Sequence, residues 1–396
     1  MSIPPFFNRG TGTTSTLTGK GRLSSRDPDR AVRETDLDAA AARVSAISKN
    51  YLHDRFAGLL TRPSHAGEGS TLRPPWVNIG THHRTYVIDS LTERFMVGGH
   101  GAKKKQVLSL GAGSDSRFWR LRERYCTTGE AWPVGRWVET DLQMTVGQKI
   151  RSVLANDSLR ALCGPQLAVS PGPELPVGAP APYIDLPSDP TDLYADNYCL
   201  LSADLRRPAE LIDKLQSVPP TGSSKDPLLD PAAPTLIIAE LLFLYLSPSH
   251  TAACLAALTA FFKGPLMIIT YEALDLGDSF SRMMVQNLAG RGLSLAGFEC
   301  NRSVASQIAR LEEHGFTEIV STDMKSLRVG VATAEEGRGE EWKTRWEGEL
   351  ERIRRLEFLD EVEELELILQ HYAVSWATRN PHSPARSTVG FYLPTF

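Results

Sequence analysis

The sequence predicts an α/β fold: a mostly parallel central sheet flanked by helices, with a helical N-terminal leader and inserted, lid-like loops. Three observations carry that expectation. Short apolar, β-prone runs recur through the middle of the chain, each bounded by loop or helix-like sequence, and such alternation marks parallel strands buried on both faces. One of these runs passes into Gly111-Ala112-Gly113 and straight on into a helical stretch, the strand–turn–helix arrangement that brings backbone close to a ligand. Helical sequence without strand-like runs fills the region ahead of it.

In chain order, residues 1–30 are rich in Ser, Thr, Gly and Arg and carry no apolar period; a disordered tail is expected there. The alanine-rich stretch Asp36–Leu60, with a Thr/Asp cap at its start, predicts a helix. A second helix is expected over Thr81–Phe95, and the two make residues 31–105 a helical leader. The core of a single 31–396 domain then runs from residue 106, with strands expected at Gln106–Leu110, Trp137–Thr140, Tyr198–Ala203, Leu236–Ala239 and Leu266–Thr270. Thr317–Ser321, Tyr372–Thr378 and Thr388–Leu393 are candidates to close the sheet. Ahead of Tyr372, the stripe Leu356, Leu359, Val362, Leu365, Ile368 and Leu369 predicts a helix with one core face and one acidic, solvated face. Residues 165–190 hold eight prolines and residues 219–234 five more. Proline removes a ladder donor, so inserted loops are expected at 164–192 and 217–234 rather than core strands.

Composition narrows the function. The 396 residues carry 43 basic and 47 acidic side chains, a net charge of −4, so no charge excess points to nucleic acid or a membrane surface. The five cysteines (Cys126, Cys163, Cys199, Cys254, Cys300) form no CxxC pair, which disfavours zinc ribbons and a disulfide framework. The most apolar run, Leu236–Leu246, is too short to span a bilayer and contains Glu240. Together with a start that lacks a signal peptide's apolar core, this predicts a soluble cytoplasmic protein.

The chemistry concentrates at strand ends. In the run Val107–Leu121, Ser116 stands where a dinucleotide fingerprint has its third glycine, and the next strand-terminal acid, Asp141, lies 30 residues on. Both features fit a pyrophosphate cradle poorly. A nucleoside with an amino-acid tail and no phosphate fits better, and S-adenosylmethionine is that ligand. Asp141 is placed to accept hydrogen bonds from ribose hydroxyls. Asp204 is placed for the adenine amino group, with Leu205 offering an amide and an apolar wall. Glu240 is placed for the ammonium group or the sulfonium charge. All three fall where open α/β sheets bind ligands, beyond the carboxyl ends of strands.

The segments DAAAARVSAISKNYLHDRF, NIGTHHRTYVID, VLSLGAGSDSRFWRL, WVETDL, LLSADLR, PTLIIAELLFLYLSP, ITYEALDLGDSFSRMMVQNL and LEFLDEVEEL…HYAVSWAT resemble, in order, the leucine carboxyl methyltransferase family. The resemblance implies the S-adenosylmethionine-dependent methyltransferase fold and transfer of a methyl group to the C-terminal leucine carboxylate of protein phosphatase 2A catalytic subunits. It implies cofactor contacts at Arg43, Arg84, Gly111, Asp141, Asp204, Leu205 and Glu240, with Arg43 standing where the family often has lysine. Arg84 is expected to pair with the cofactor's carboxylate and Tyr245 to border the reacting methyl, each with packing as the competing role. His82 and His83, adjacent on a helix, are expected to face different ways and not to form a metal pair; Tyr271 and Asp278 have structural alternatives, and Trp119, Trp132 and Trp137 are expected to pack. A terminal carboxylate is ionised at neutral pH, which agrees with the lack of a convincing His or Cys nucleophile. Two alternatives remain at this level: a methyltransferase of another acceptor, small molecule or tRNA, and a non-catalytic protein that holds the phosphatase tail. The related tRNA enzyme carries a β-propeller, for which a chain ending at Phe396 leaves no expected room.

Overall fold

The computed structural model describes residues 29–61, 72–98, 104–170, 174–175, 190–221, 226–330 and 340–380. The expected strand at 388–393 and most of the expected tail lie outside them. The first helix, α1 (Arg30–Ser48), already begins within the stretch assigned to the tail. It does not continue to Leu60. Asn50 takes a left-handed φ of 63°, which short polar side chains tolerate, and the Asp54 carboxylate accepts the amides of Phe56 and Ala57 at 3.0 and 3.1 Å. That local hydrogen bonding competes with helix and restarts the chain as a single turn, α2 (Ala57–Leu60). Helix α3 (Pro75–Val97) starts earlier than Thr81, with proline in its first turn, where no amide is needed.

The α/β portion continues with β1 (Lys105–Leu110), α4 (Arg117–Thr128), β2 (Val134–Asp141), α5 (Gln143–Ala155), α6 (Asp157–Cys163), β3 (Leu167–Ser170), β4 (Glu174–Leu175), β5 (Asp192–Ala195) and β6 (Tyr198–Ser202). Then come α7 (Pro208–Gln216), β7 (Thr235–Glu240), α8 (Pro248–Phe261), β8 (Leu266–Ala273), α9 (Ser279–Gly290) and α10 (Val304–Glu313). The last elements are β9 (Thr317–Asp323), α11 (Met324–Val329), α12 (Glu340–Arg354), α13 (Val362–Gln370) and β10 (Tyr372–Arg379). The strands form one ten-stranded sheet in the order β4-β3-β5-β6-β2-β1-β7-β8-β10-β9.

Strands β6, β2, β1, β7 and β8 are parallel, and β10 inserts antiparallel between β8 and β9. Burial on both faces explains why these strands read as apolar runs. On one face Val107, Trp137, Leu236 and Ile269 meet Ile88 and Leu91 of α3, Phe118 and Trp119 of α4, and Leu365 and Leu369 of α13. On the other, Leu108, Val138, Ile237 and Ile268 meet Leu211 of α7, Leu255 and Leu258 of α8, and Leu311 of α10.

The proline-rich stretches are partly structural. Within the first, the proline-free run Leu167–Ser170 forms β3 and pairs antiparallel with β5, extending the sheet beyond β6 where an inserted loop was expected. Pro165 and Pro190 flank the paired residues, where no ladder donor is lost. In the second, Leu228 and Leu229 are buried, and the Leu228 amide donates to the Ser217 carbonyl at 2.8 Å; the loop lines the core. Successive strands are added outward from β1 on one side (β2, β6) and from β7 on the other (β8), so the carboxyl ends of these two parallel neighbours open a switch-point crevice.

Candidate functional site

The crevice is built around the turn after β1. Gly111 and Gly113 hold φ of 61° and 45°, a region costly for residues with a Cβ. The Gly113 amide donates to Asp141 Oδ2 at 2.8 Å and the Leu142 amide to Asp141 Oδ1 at 2.7 Å, tying the end of β2 to the turn. From above, Asp36 of α1 accepts the Ser114 amide and hydroxyl, each at 2.8 Å. Burial raises the Asp141 carboxyl to about 6, aided by the neighbouring Asp36 charge and opposed by the two amides. Beneath the turn, Lys149 of α5 donates to the Asp115 carbonyl at 2.8 Å and pairs with the buried Glu139 at 2.5 Å.

Beyond β6, Asp204 Oδ1 accepts the Arg206 amide at 3.0 Å and its Nε at 2.8 Å, while Arg206 forks onto Asp29 ahead of α1. Burial pushes the Asp204 carboxyl up, but these Arg206 bonds outweigh it and the net shift is downward. At the end of β7, Glu240 Oε1 accepts Arg117 Nη2 at 2.7 Å, and Oε2 lies 3.7 Å from Arg84 Nε. Arg84 in turn sits 5.8 Å from the Tyr271 ring centre. Leu241 follows at φ 49°, strain of a kind that concentrates at functional sites. The buried Glu272 carboxylate accepts the amides of Leu242, Phe243 and Leu244, which fixes the turn carrying Tyr245. Burial pushes the Tyr245 hydroxyl up to about 12, against a hydrogen bond with Thr35. Arg43 binds Asp54 through Nε at 2.7 Å and Thr85 through Nη1 at 3.3 Å, while its buried Nη2 has no hydrogen-bond partner.

One cavity is lined by Arg43, Arg84, Gly111, Asp141, Asp204, Leu205, Glu240 and Tyr245, all eight residues singled out from the sequence. Its outer wall comes from α1, and no described residue of either proline-rich stretch lines it. Two of these positions carry further contacts. Asp204 is already engaged by Arg206, and a Cβ on Gly111 would lie 3.0 Å from Leu242 Cδ1, so side-chain packing as well as ligand approach demands glycine there. His82 and His83 do not face apart. Both are buried, with their Nδ1 atoms 3.1 Å from each other, and they reach Glu349 and Arg328 through Nε2. Among the described residues no His, Cys, Asp or Glu cluster could hold a metal. Asp278 caps α9 and meets His371, a structural role, and Trp119 and Trp137 are fully buried packing residues.

Sequence reasoning missed Asp36, Arg117, Lys149 and Glu272. Asp36 was legible only as a helix cap, which the earlier start of α1 rules out. Arg117 sits inside the quoted GAGSDSRFW run, where a buried arginine has no linear signature.

The leucine carboxyl methyltransferase profile matches residues 31–259. The chain belongs to that family. Leucine carboxyl methyltransferase 1 of Cryptococcus neoformans var. neoformans serotype D is 37% identical over 364 residues, 89% of this chain and 94% of that protein. The Aspergillus fumigatus protein of the same name is 36% identical over 361 residues, 88% and 82% of the two chains. The Rattus norvegicus protein of that name is 30% identical over 351 residues, 89% and 90%. The resemblance drawn from the strand-end motifs is borne out, and the enzyme is an S-adenosylmethionine-dependent carboxyl methyltransferase. The chemistry of its cavity fits that cofactor: the lining combines arginines, one of them with a buried guanidinium nitrogen that has no hydrogen-bond partner, with strand-end carboxylates and a glycine turn, a donor set suited to a zwitterionic amino-acid end and a nucleoside.

Proposed function

We propose that this leucine carboxyl methyltransferase esterifies the α-carboxylate of the C-terminal leucine of protein phosphatase 2A catalytic subunits, acting in the cytoplasm. The observation that carries the reading is that eight residues scattered from position 43 to position 245 line a single cavity at the strand ends. In this reading Asp141 accepts the ribose hydroxyls. Asp204 and Leu205 hold the adenine, Glu240 accepts the ammonium group, and Arg84 with Arg43 Nη2 meets the carboxylate. Gly111 lets the backbone approach, and Tyr245 borders the transferring methyl. The cofactor supplies a methyl group on a positively charged sulfur.

The chain's own contribution is then positioning. A terminal carboxyl group has an ordinary pKa of about 3.3–3.7 and needs no base at neutral pH. The lining residues include no His or Cys, which suits an acceptor that arrives already ionised. Walls from α1 and the Leu241–Leu246 turn narrow the cavity, which favours in-line approach of two charged partners with part of their water removed. All five cysteines are free, three of them buried, which supports a reducing compartment. No helix among the described residues is long and apolar enough to cross a membrane. The test is methyl transfer from labelled S-adenosylmethionine to the phosphatase catalytic subunit, with and without its terminal leucine. Base-labile label on the intact subunit alone is expected; equal label on both, or none, refutes the assignment.

A further inference from the structure

The cavity floor contains an arginine that touches no expected ligand position and yet commits each of its guanidinium nitrogens. The Arg117 side chain is 2% exposed. Its Nε donates to Asp89 Oδ1 of α3 at 2.8 Å, its Nη1 to Asp115 Oδ2 of the glycine turn at 2.6 Å, and its Nη2 to Glu240 Oε1 at the end of β7 at 2.7 Å. Three carboxylates from three elements thus converge on one planar fork. Burial works against the charge, but Asp115, Glu240 and Asp89 outweigh it and hold the guanidinium well above its usual range. Asp89 has a second cation in Arg120. Asp115 pairs with Arg117, and Lys149 holds its carbonyl. Glu240 has Arg117 on one oxygen and Arg84 at 3.7 Å from the other.

We infer that Arg117 is a positioning residue for the cofactor: by binding Glu240 Oε1 it turns Oε2 toward the cavity and keeps that oxygen for the ligand's ammonium group. Geometry supports this directly. A distance of 3.7 Å leaves Oε2 without a full hydrogen bond from Arg84, while Oε1 is held by a charge-assisted bond whose donor is itself fixed at two other points. A lysine carries the same charge but not the fork, and cannot hold three carboxylates in fixed directions. The same fork joins Glu240 to Asp115, so the amino-acid end of the site and the glycine turn share one rigid support. Arg43, Arg84, Arg120 and Lys149, with Asp54, Asp89 and Asp115, are the charges around it. Arg117 acts through Glu240.

The inference rests on the assignment of Glu240 to the ammonium group, and the test separates the two. Dissociation constants are measured by calorimetry for S-adenosylhomocysteine and for its analogue in which hydrogen replaces the amino group. The wild-type protein is expected to prefer the ammonium-bearing ligand by about 10- to 100-fold, the worth of one charged hydrogen bond. Arg117→Met and Glu240→Gln should each collapse that preference to within about threefold, and the double variant should lose nothing further, since the two residues act as one unit. Should Arg117→Met fail to fold, Arg117→Lys is used, with an expected loss of at least about threefold in the preference. A merely structural arginine would weaken both ligands equally and leave the preference intact; that result in the Arg117 variants, with collapse in Glu240→Gln, overturns the inference alone. No preference in the wild-type protein overturns the Glu240 assignment and the inference with it.

Discussion

Asp141 carries the most informative single charge in the cavity. Its carboxylate is half-buried, held by the Gly113 and Leu142 amides, and raised to about 6. In the proposed binding mode ribose hydroxyls donate to the ionised form, so cofactor binding would favour ionisation and release a proton where the free enzyme is still protonated. The sign follows: affinity falls as pH drops through about 6, by up to about tenfold per unit, because one unit of pKa is about 1.4 kcal/mol. Calorimetry between pH 5 and 7.5 checks this, and Asp141→Asn should flatten the profile while weakening binding at pH 7.5. Gly113 gives a second test at this scale. A Cβ there would collide with Asp36 Oδ1, and its φ of 45° already disfavours one. Gly113→Ala is expected to cost about 1–2 kcal/mol of stability from backbone conformation alone, read as a lower thermal midpoint, and to weaken cofactor binding by displacing Asp36. Both effects arise from contacts between residues far apart in sequence, 36 with 113–114 and 113 with 141. The glycines and the terminal acid were legible because each sits at a fixed offset from an apolar run. Asp36 was not, since nothing local distinguishes a helix cap from a helix side chain reaching across to a turn.

The elements were legible in proportion to their burial. Strands β1, β2, β6, β7 and β8 are covered on both faces and announce themselves as unbroken apolar runs. The edge beyond β6 does not: β3 and β5 are four residues each and set among prolines, so composition pointed to loop where pairing made sheet. Helix α1 shows the opposite failure. Its helical character was plain, but its partners were not. It and Asp29 ahead of it are tied to the rest of the molecule through Asp29 to Arg206, Asp36 to Ser114, Asp38 to Arg291, and Arg43 to Asp54. These contacts make it the cover of the cavity, and Asp36→Ala tests that role at two levels. Losing both Ser114 contacts should loosen α1 by about 1 kcal/mol, seen as faster amide exchange in α1 while β1 and β7 stay protected. Removing its charge also relieves one of the causes that raise the Asp141 carboxyl, so the midpoint of the affinity profile should move to lower pH. A change in exchange without that shift would mean that α1 covers the cavity but does not tune it.

At the scale of the whole molecule, the sheet gathers Asp141, Asp204 and Glu240 at one end and brings α1 and α3 over them, while no His or Cys lines the space between. A protein so arranged can orient and desolvate an acceptor, but the lining offers no imidazole or thiol to deprotonate one. Such a lining suits an acceptor that arrives ionised, as the proposed terminal carboxylate does, because its ordinary pKa of about 3.3–3.7 lies far below neutral. Single-turnover methyl transfer at saturating cofactor is expected to stay flat, within about twofold, from roughly pH 6.5 to 8. A hydroxyl or amine acceptor would instead depend on a positioned base, and its rate would climb across that range as the base lost its proton. Saturation matters, because the Asp141 effect acts on affinity and lies at the acid edge of the window. The companion measurement uses an otherwise identical acceptor with its C-terminal leucine amidated. Transfer should stop, since the amide nitrogen is a poor nucleophile and the anionic oxygen is gone. A charged residue in place of that leucine should mainly raise KM, because Leu241, Leu242 and Leu246 make the wall beside Tyr245 apolar and a charge placed there loses its water. Efficient methylation of the amidated tail, or a rate rising with pH, would remove the terminal carboxylate as acceptor and direct the search to a side chain or a small molecule.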